Sequence, residues 1–142
     1  MNKIETTNIY VAKSKHAEGY GVFAGKDFRP RQLIETCPAI FLPMNEFEMI
    51  KQTKLYFYFY EYSNKEFAVV LGYGSLYNHS FSPNAQFRFN YSRRVMTVRA
   101  IRPIMQGEEI AINYNLYADD LTPLESWFEK GVDANHLPVK SR

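Results

Sequence analysis

Apolar and polar residues alternate with period two over most of this chain, in short runs broken by Gly, Pro and Asn. That pattern predicts a mostly-β domain of short strands. Residues 8–13 and 20–24 read as strands on either side of the turn-like Glu18-Gly19. Residues 32–42 read as one or two strands, kinked at Pro38. Asn45-Glu46-Phe47-Glu48 has the spacing of a capping box and predicts a helix of about two turns. Tyr56-Phe57-Tyr58-Phe59-Tyr60-Glu61-Tyr62 reads as a strand with four Tyr on one face and two Phe on the other. Residues 66–71 are a further apolar strand, and Ala85–Phe89 with Arg94–Ala100 form a hairpin across Asn90–Arg93. A last strand covers 109–114. Thr122-Pro123-Leu124-Glu125 then supplies an N-cap, a Pro at the first helical position and a Glu three residues after the cap. The helix it opens carries Trp127 and Phe128 and can close at Gly131.

At 142 residues the chain is expected to be a single domain over 1–142, with a core at about 8–116 and a closing segment at about 117–131. Eleven Phe argue for a packed core, and eleven Tyr for a polar-lined cavity or groove, because each buried hydroxyl needs a partner. A lone Cys37 excludes an intrachain disulfide and a cysteine-rich zinc site. It also suits a reducing, intracellular compartment. Nothing near the N-terminus reads as a secretory signal, and no run approaches the length of a membrane span. Charge is uneven. Residues 1–105 hold 14 Lys and Arg against 8 Asp and Glu, a net of +6, whereas residues 106–133 set Glu108, Glu109, Asp119, Asp120, Glu125, Glu129 and Asp133 against Lys130, a net of −6. This acidic stretch is either a solvated surface or a lip for a basic partner.

Three segments carry candidate chemistry. In Gly19-Tyr20-Gly21-Val22-Phe23-Ala24 two glycines flank one residue and let backbone approach a ligand closely. Tyr77-Asn78-His79-Ser80-Phe81-Ser82-Pro83-Asn84 holds an Asn-His pair but neither nucleophile nor metal-ligand spacing around it. Gly107-Glu108-Glu109-Ile110-Ala111-Ile112-Asn113-Tyr114 reads as a turn and a strand ending in Tyr. Each alone is compatible with plain structure.

Together, and in this order, the three segments resemble the SET-domain family of protein-lysine methyltransferases, in its small stand-alone form. That family carries a G-x-G, then N-H-S-x-x-P-N, then G-E-E followed by a hydrophobic strand and Tyr. Leu71-Gly72-Tyr73-Gly74 and Ala100-Ile101-Arg102-Pro103-Ile104 fit the same pattern, and the resemblance covers about residues 8–130. Two positions depart from it: Phe81, where the family often has Cys, and Asn113, where it often has Asp.

The resemblance implies several short antiparallel sheets (a β-clip-like fold), a few short helices and a threaded C-terminal segment. It implies methyl transfer from S-adenosylmethionine to a lysine of a protein substrate, leaving S-adenosylhomocysteine. Tyr114 would orient the amine, with Tyr20 beside it. Gly19, Tyr20, Gly21, Asn78, His79, Tyr114, Trp127 and Phe128 would surround the cofactor. Tyr58, Tyr60, Tyr62 and Tyr73 are the candidates for the lysine channel. No metal is implied, and no zinc, since the Cys-rich segment of many members is missing. A basic protein is the expected partner, a homodimer is left open, and neither membrane nor nucleic acid is expected. Two other readings compete: a SET-like module that binds protein without transferring methyl groups, and a nucleic-acid-binding β-domain. The intact Asn-His pair and Tyr114 argue against the first. The acidic C-terminal stretch, which repels phosphate, argues against the second.

Overall fold

The computed structural model describes residues 8–124. Nine strands form two curled sheets. The first has four strands in the order β1 (Ile9–Lys13), β2 (Tyr20–Ala24), β9 (Glu109–Ile112) and β6 (Asn78–His79). The second has five, in the order β4 (Phe59–Glu61), β5 (Glu66–Val70), β3 (Leu33–Pro43), β8 (Val95–Ala100) and β7 (Ala85–Asn90). All pairings are antiparallel except β6 with β9, where Asn78 lies beside Ala111 and His79 beside Ile112. β9 therefore sits between β2 and β6, and the third motif packs against both of the others. No helix among the described residues is long and apolar enough to cross a membrane.

The alternation along the strands decides what goes inside. Val22, Ala24, Ile110 and Ile112 from one sheet and Cys37, Val70, Met96, Val98 and Ala100 from the other are all buried in one core. Each large side chain removed from water there contributes roughly 1.5–3 kcal/mol. β3 breaks the alternation once. Its register with β8 shifts between Leu33 and Glu35, so Ile34 and Glu35 both turn inward, and Glu35 comes to lie opposite the buried Val98.

Two expected elements are corrected. The segment 56–62 is not one strand: its start belongs to a 3-10 turn over Lys54–Phe57, and only Phe59–Glu61 pairs as β4. The Thr53 hydroxyl accepts the Leu55 amide at 3.2 Å and winds the chain there, against the aromatic alternation. The capping box at Asn45 does not form. A 3-10 turn over Met44–Glu46 leads into a single turn, α1 (Phe47–Ile50), with no side-chain cap. The ring of Phe47 packs on Phe59 and Phe67 at 5.2 and 5.6 Å and fixes the turn from the side instead. The hairpin expectation is displaced by one residue: β7 ends at Asn90 and β8 begins at Val95, with Arg94 at φ 54. Trp127, Phe128 and Gly131 lie outside the described residues.

Candidate active site

Tyr114 joins the motifs. Its side chain is buried, 3% exposed, just past the end of β9. Its hydroxyl donates to the Tyr77 carbonyl at 2.6 Å, and its amide donates to His79 Nδ1 at 3.1 Å. The His79 ring lies 5.0 Å from the Tyr114 ring and edge-on to Phe81 at 4.4 Å. Because β6 is the edge strand and Ser80 donates to the Ile112 carbonyl at 2.9 Å, strand alternation turns the His79 peptide groups away from β9.

The predicted Gly19–Gly21 and Asn78 are adjacent, but their contacts are largely with the protein itself. Gly19 adopts φ 90, which closes the β1–β2 turn. A methyl group at Gly21 would fall 2.9 Å from Asn78 Nδ2. Asn78 donates through that nitrogen to Glu109 Oε1 at 2.8 Å and to the Tyr20 carbonyl at 3.2 Å. Glu109, buried, also accepts from the Ser14 hydroxyl at 2.8 Å and the Lys15 amide at 3.1 Å. The glycine thus makes room for a buried carboxylate that sews the three motifs together. Tyr20 itself is 59% exposed beside them.

Tyr114 also lines a cavity of about 510 Å³. Its walls include Tyr60, Phe87, Phe89 and Tyr91, with Glu61 and Arg88 as its charged groups and 115–117 as the outer wall. The Tyr60 hydroxyl donates to the Gly74 carbonyl at 2.8 Å, and its ring meets Phe87 at 5.0 Å. Of the four channel candidates only Tyr60 lines this cavity. Tyr62 packs among Phe41, Phe89 and Tyr91. Tyr58 lies outside it, half-buried, and burial raises its hydroxyl's pKa. Tyr73 is held away from it through its amide, which donates to Glu35 at 2.9 Å. The structure therefore gathers Gly19, Tyr20, Gly21, Asn78 and His79 about neighbouring strands of one sheet, while Tyr60 and Tyr114 line the cavity.

Several residues carry structural roles that motif matching does not assign. Asn84 clamps β9 by donating to the Glu109 carbonyl and accepting the Ala111 amide, both at 2.9 Å. It lies inside a motif, so the signal was present without its role. At Asn113 the departure from the family pattern has a use: the amide nitrogen donates to the Asp120 carbonyl at 2.7 Å, which an ionised Asp would not do. Of the acidic stretch, Glu109 points inward, Glu108 accepts the Met105 amide and Asp120 caps Thr122. Glu108 and Asp119 are its exposed members among the described residues.

A nucleoside sulfonium needs backbone polar groups at its edges and apolar faces beside them. The edge-strand peptide of His79 and the exposed rings of Tyr20 and Phe81 next to it fit such a group. Among the described residues no cluster of three or more His, Cys, Asp or Glu is placed to hold a metal ion.

The parallel β6–β9 pair brings the second and third motifs together within one sheet, and the buried Tyr114 that follows β9 meets both His79 and the residues of an aromatic cavity. The model of the SET domain matches residues 19–115, and this chain belongs to that family of protein-lysine methyltransferases. It is 31% identical over 127 residues to a Schizosaccharomyces pombe protein named histone-lysine N-methyltransferase, H3 lysine-37 specific, covering 87% of this chain and 86% of that protein. A solved structure of a candidate histone methyltransferase from Plasmodium falciparum aligns with a TM-score of 0.63 at 33% identity, over 78% of this chain and 95% of that one. Chaetomium thermophilum Polycomb Repressive Complex 2 bound to S-adenosylmethionine aligns at 0.67 and 18% identity, over 78% of this chain and 15% of that one, and shows the shared fold.

Proposed function

We propose that this chain methylates the side-chain amine of a lysine in a protein, taking the methyl group from S-adenosylmethionine. The observation that supports it best is Tyr114, whose amide is held by His79 and which also lines the aromatic cavity. In this reading the cofactor rests against Gly19–Gly21, Asn78, His79 and the face of Tyr20. The lysine enters through the cavity past Tyr60 and Phe87.

Bound S-adenosylmethionine supplies a methyl carbon on a cationic sulfur; the nitrogen–carbon bond forms as the carbon–sulfur bond breaks, so the three atoms must lie in line. The protein's part is to fix that line and exclude water. Tyr114 commits its proton to the Tyr77 carbonyl, which leaves its oxygen lone pairs to accept from the incoming amine. Tyr60 and Phe87, both buried, supply an aromatic wall that would desolvate the amine. A lysine in solution has a pKa of about 10.4, and such desolvation beside a positive charge favours the neutral amine the reaction needs. No strong base is required.

The substrate in this reading presents its lysine among other basic residues. The relatives named for histone lysines support this, as do the exposed Asp119, two residues beyond the cavity wall, and Glu61 in the cavity. The test is incubation with methyl-labelled S-adenosylmethionine and a panel of basic and neutral proteins, read by mass spectrometry. Label on lysines is expected, fastest in basic tails. Absence of label everywhere, with no heat or thermal shift from near-millimolar cofactor, would overturn the proposal.

A further inference from the structure

The Tyr77 carbonyl that receives the Tyr114 hydroxyl is itself held from a distance. Glu35 sits where β3 bulges, and the bulge turns its side chain inward onto the face of Val98 and Cys37. Its two carboxylate oxygens bind two points of the segment 71–77. Oε1 accepts the hydroxyl of the fully buried Tyr77 at 2.8 Å, and Oε2 accepts the Tyr73 amide at 2.9 Å. Gly72, at φ 64, lets the backbone come this close, for a methyl group there would lie 2.5 Å from Glu35 Oε2. Ser75, which donates to the Val70 and Tyr58 carbonyls, anchors the middle of the segment. The Tyr77 side chain thus donates to Glu35 while its carbonyl serves Tyr114.

We infer that Glu35 is a positioning residue for methyl transfer, acting through Tyr77 to aim the carbonyl that orients the Tyr114 hydroxyl. This rests on the proposed methyl transfer. A misplacement of reacting groups by an ångström costs far more rate than binding, because in-line geometry is needed only at the transition state. Its loss therefore lowers kcat and spares cofactor affinity.

The test combines Tyr77→Phe, Glu35→Gln and their double variant in the full chain, with folding checked by circular dichroism. Each single change is expected to lower kcat about ten-fold, the loss of one oriented hydrogen bond, with KM for cofactor within about two-fold. The double variant falls no further than the worse single one, because both changes cut the same link. A second readout needs no turnover. With 13C-labelled tyrosine ring carbons, the NMR resonance of Tyr114 shifts in both single variants, and that of Tyr91 stays put. Folded variants in which the Tyr114 resonance does not move overturn the inference, as do independent, multiplying effects on kcat. A moving resonance in a chain that labels no lysine would overturn the proposed activity and leave the positioning link standing.

Discussion

Single residues here do two jobs at once, one for the fold and one for the site. Tyr114 is the clearest, since its hydroxyl is saturated as a donor by the Tyr77 carbonyl yet can still accept from the amine. Tyr114→Phe removes that oxygen and almost no volume. We expect a folded protein that binds cofactor as before and transfers methyl at least about 100-fold more slowly, the scale of losing a transition-state contact. Wild-type turnover in that variant would remove Tyr114 from the chemistry. Asn78 is different, because its amide is spent on Glu109 and the Tyr20 carbonyl. Asn78→Ala leaves the buried Glu109 carboxylate one donor short, which costs about 1–3 kcal/mol of stability. Urea unfolding measures this directly. Adding Glu109→Ala to Asn78→Ala must cost less than the two changes summed, and strict additivity would show that the pair is not coupled.

At the scale of elements, the strands were legible because their alternation matches the pleat, and β1, β2, β5, β7, β8 and β9 fall where the pattern puts them to within a residue or two. The stretch 56–62 misleads because aromatic alternation looks the same whether the backbone is extended or wound. What decides is the Thr53 cap and the hold of Ser75 on the Tyr58 carbonyl, a contact 17 residues away that no local pattern announces. The site divides in the same manner. Tyr114, His79 and the glycines stand in ordered motifs, whereas Glu35 meets Tyr77 across 42 positions and depends on a bulge without a local signature. Tyr62 and Tyr73 do not line the cavity and pack in or against the core, because hydroxyl-rich segments also supply core packing. Asn84 tests how β9 is held. Asn84→Ala leaves the Ala111 amide and Glu109 carbonyl buried without the side chain they share, at roughly 1–2 kcal/mol each. Asn84→Asp keeps the acceptor for Ala111 but sets an oxygen against the Glu109 carbonyl, so it should be no better tolerated. A fully stable Asn84→Ala protein in thermal unfolding would mean that β9 is held by its neighbours alone.

Over the whole molecule, charge acts at long range in one way and at close quarters in another. Among the described residues the acidic stretch exposes Glu108, which accepts the Met105 amide, and Asp119, and Glu61 adds a carboxylate in the cavity. Asp119→Lys and Glu61→Lys should each raise KM for a basic peptide several-fold at low salt, less at high salt, and leave cofactor affinity alone. Asp120 is unsuited to the test because it caps Thr122. KM values indifferent to both changes would leave the acidic groups as solvated surface. At close quarters the Glu35 carboxylate sets a pH limit on the fold. Burial first, and Glu35 second, raise the Cys37 thiol above its ordinary value of 9.0 and the Tyr77 hydroxyl well above 10.0. Both groups therefore keep their protons in the folded chain at pH values where the unfolded chain releases them. A raised folded value gives stability that is complete below the unfolded value and is lost as pH climbs past it. Stability should hold to about pH 9 and then fall, by up to about 1.4 kcal/mol per pH unit for each proton the unfolded chain gives up. Denaturant unfolding of the native chain and of Cys37→Ala, from roughly pH 8 to pH 10.5, separates the thiol from everything else that titrates there. The variant begins less stable, because it leaves a small void, but above pH 9 its decline should be shallower by one proton. Parallel curves would mean that the thiol ionises as readily in the folded protein as in the unfolded chain, against its burial beside Glu35.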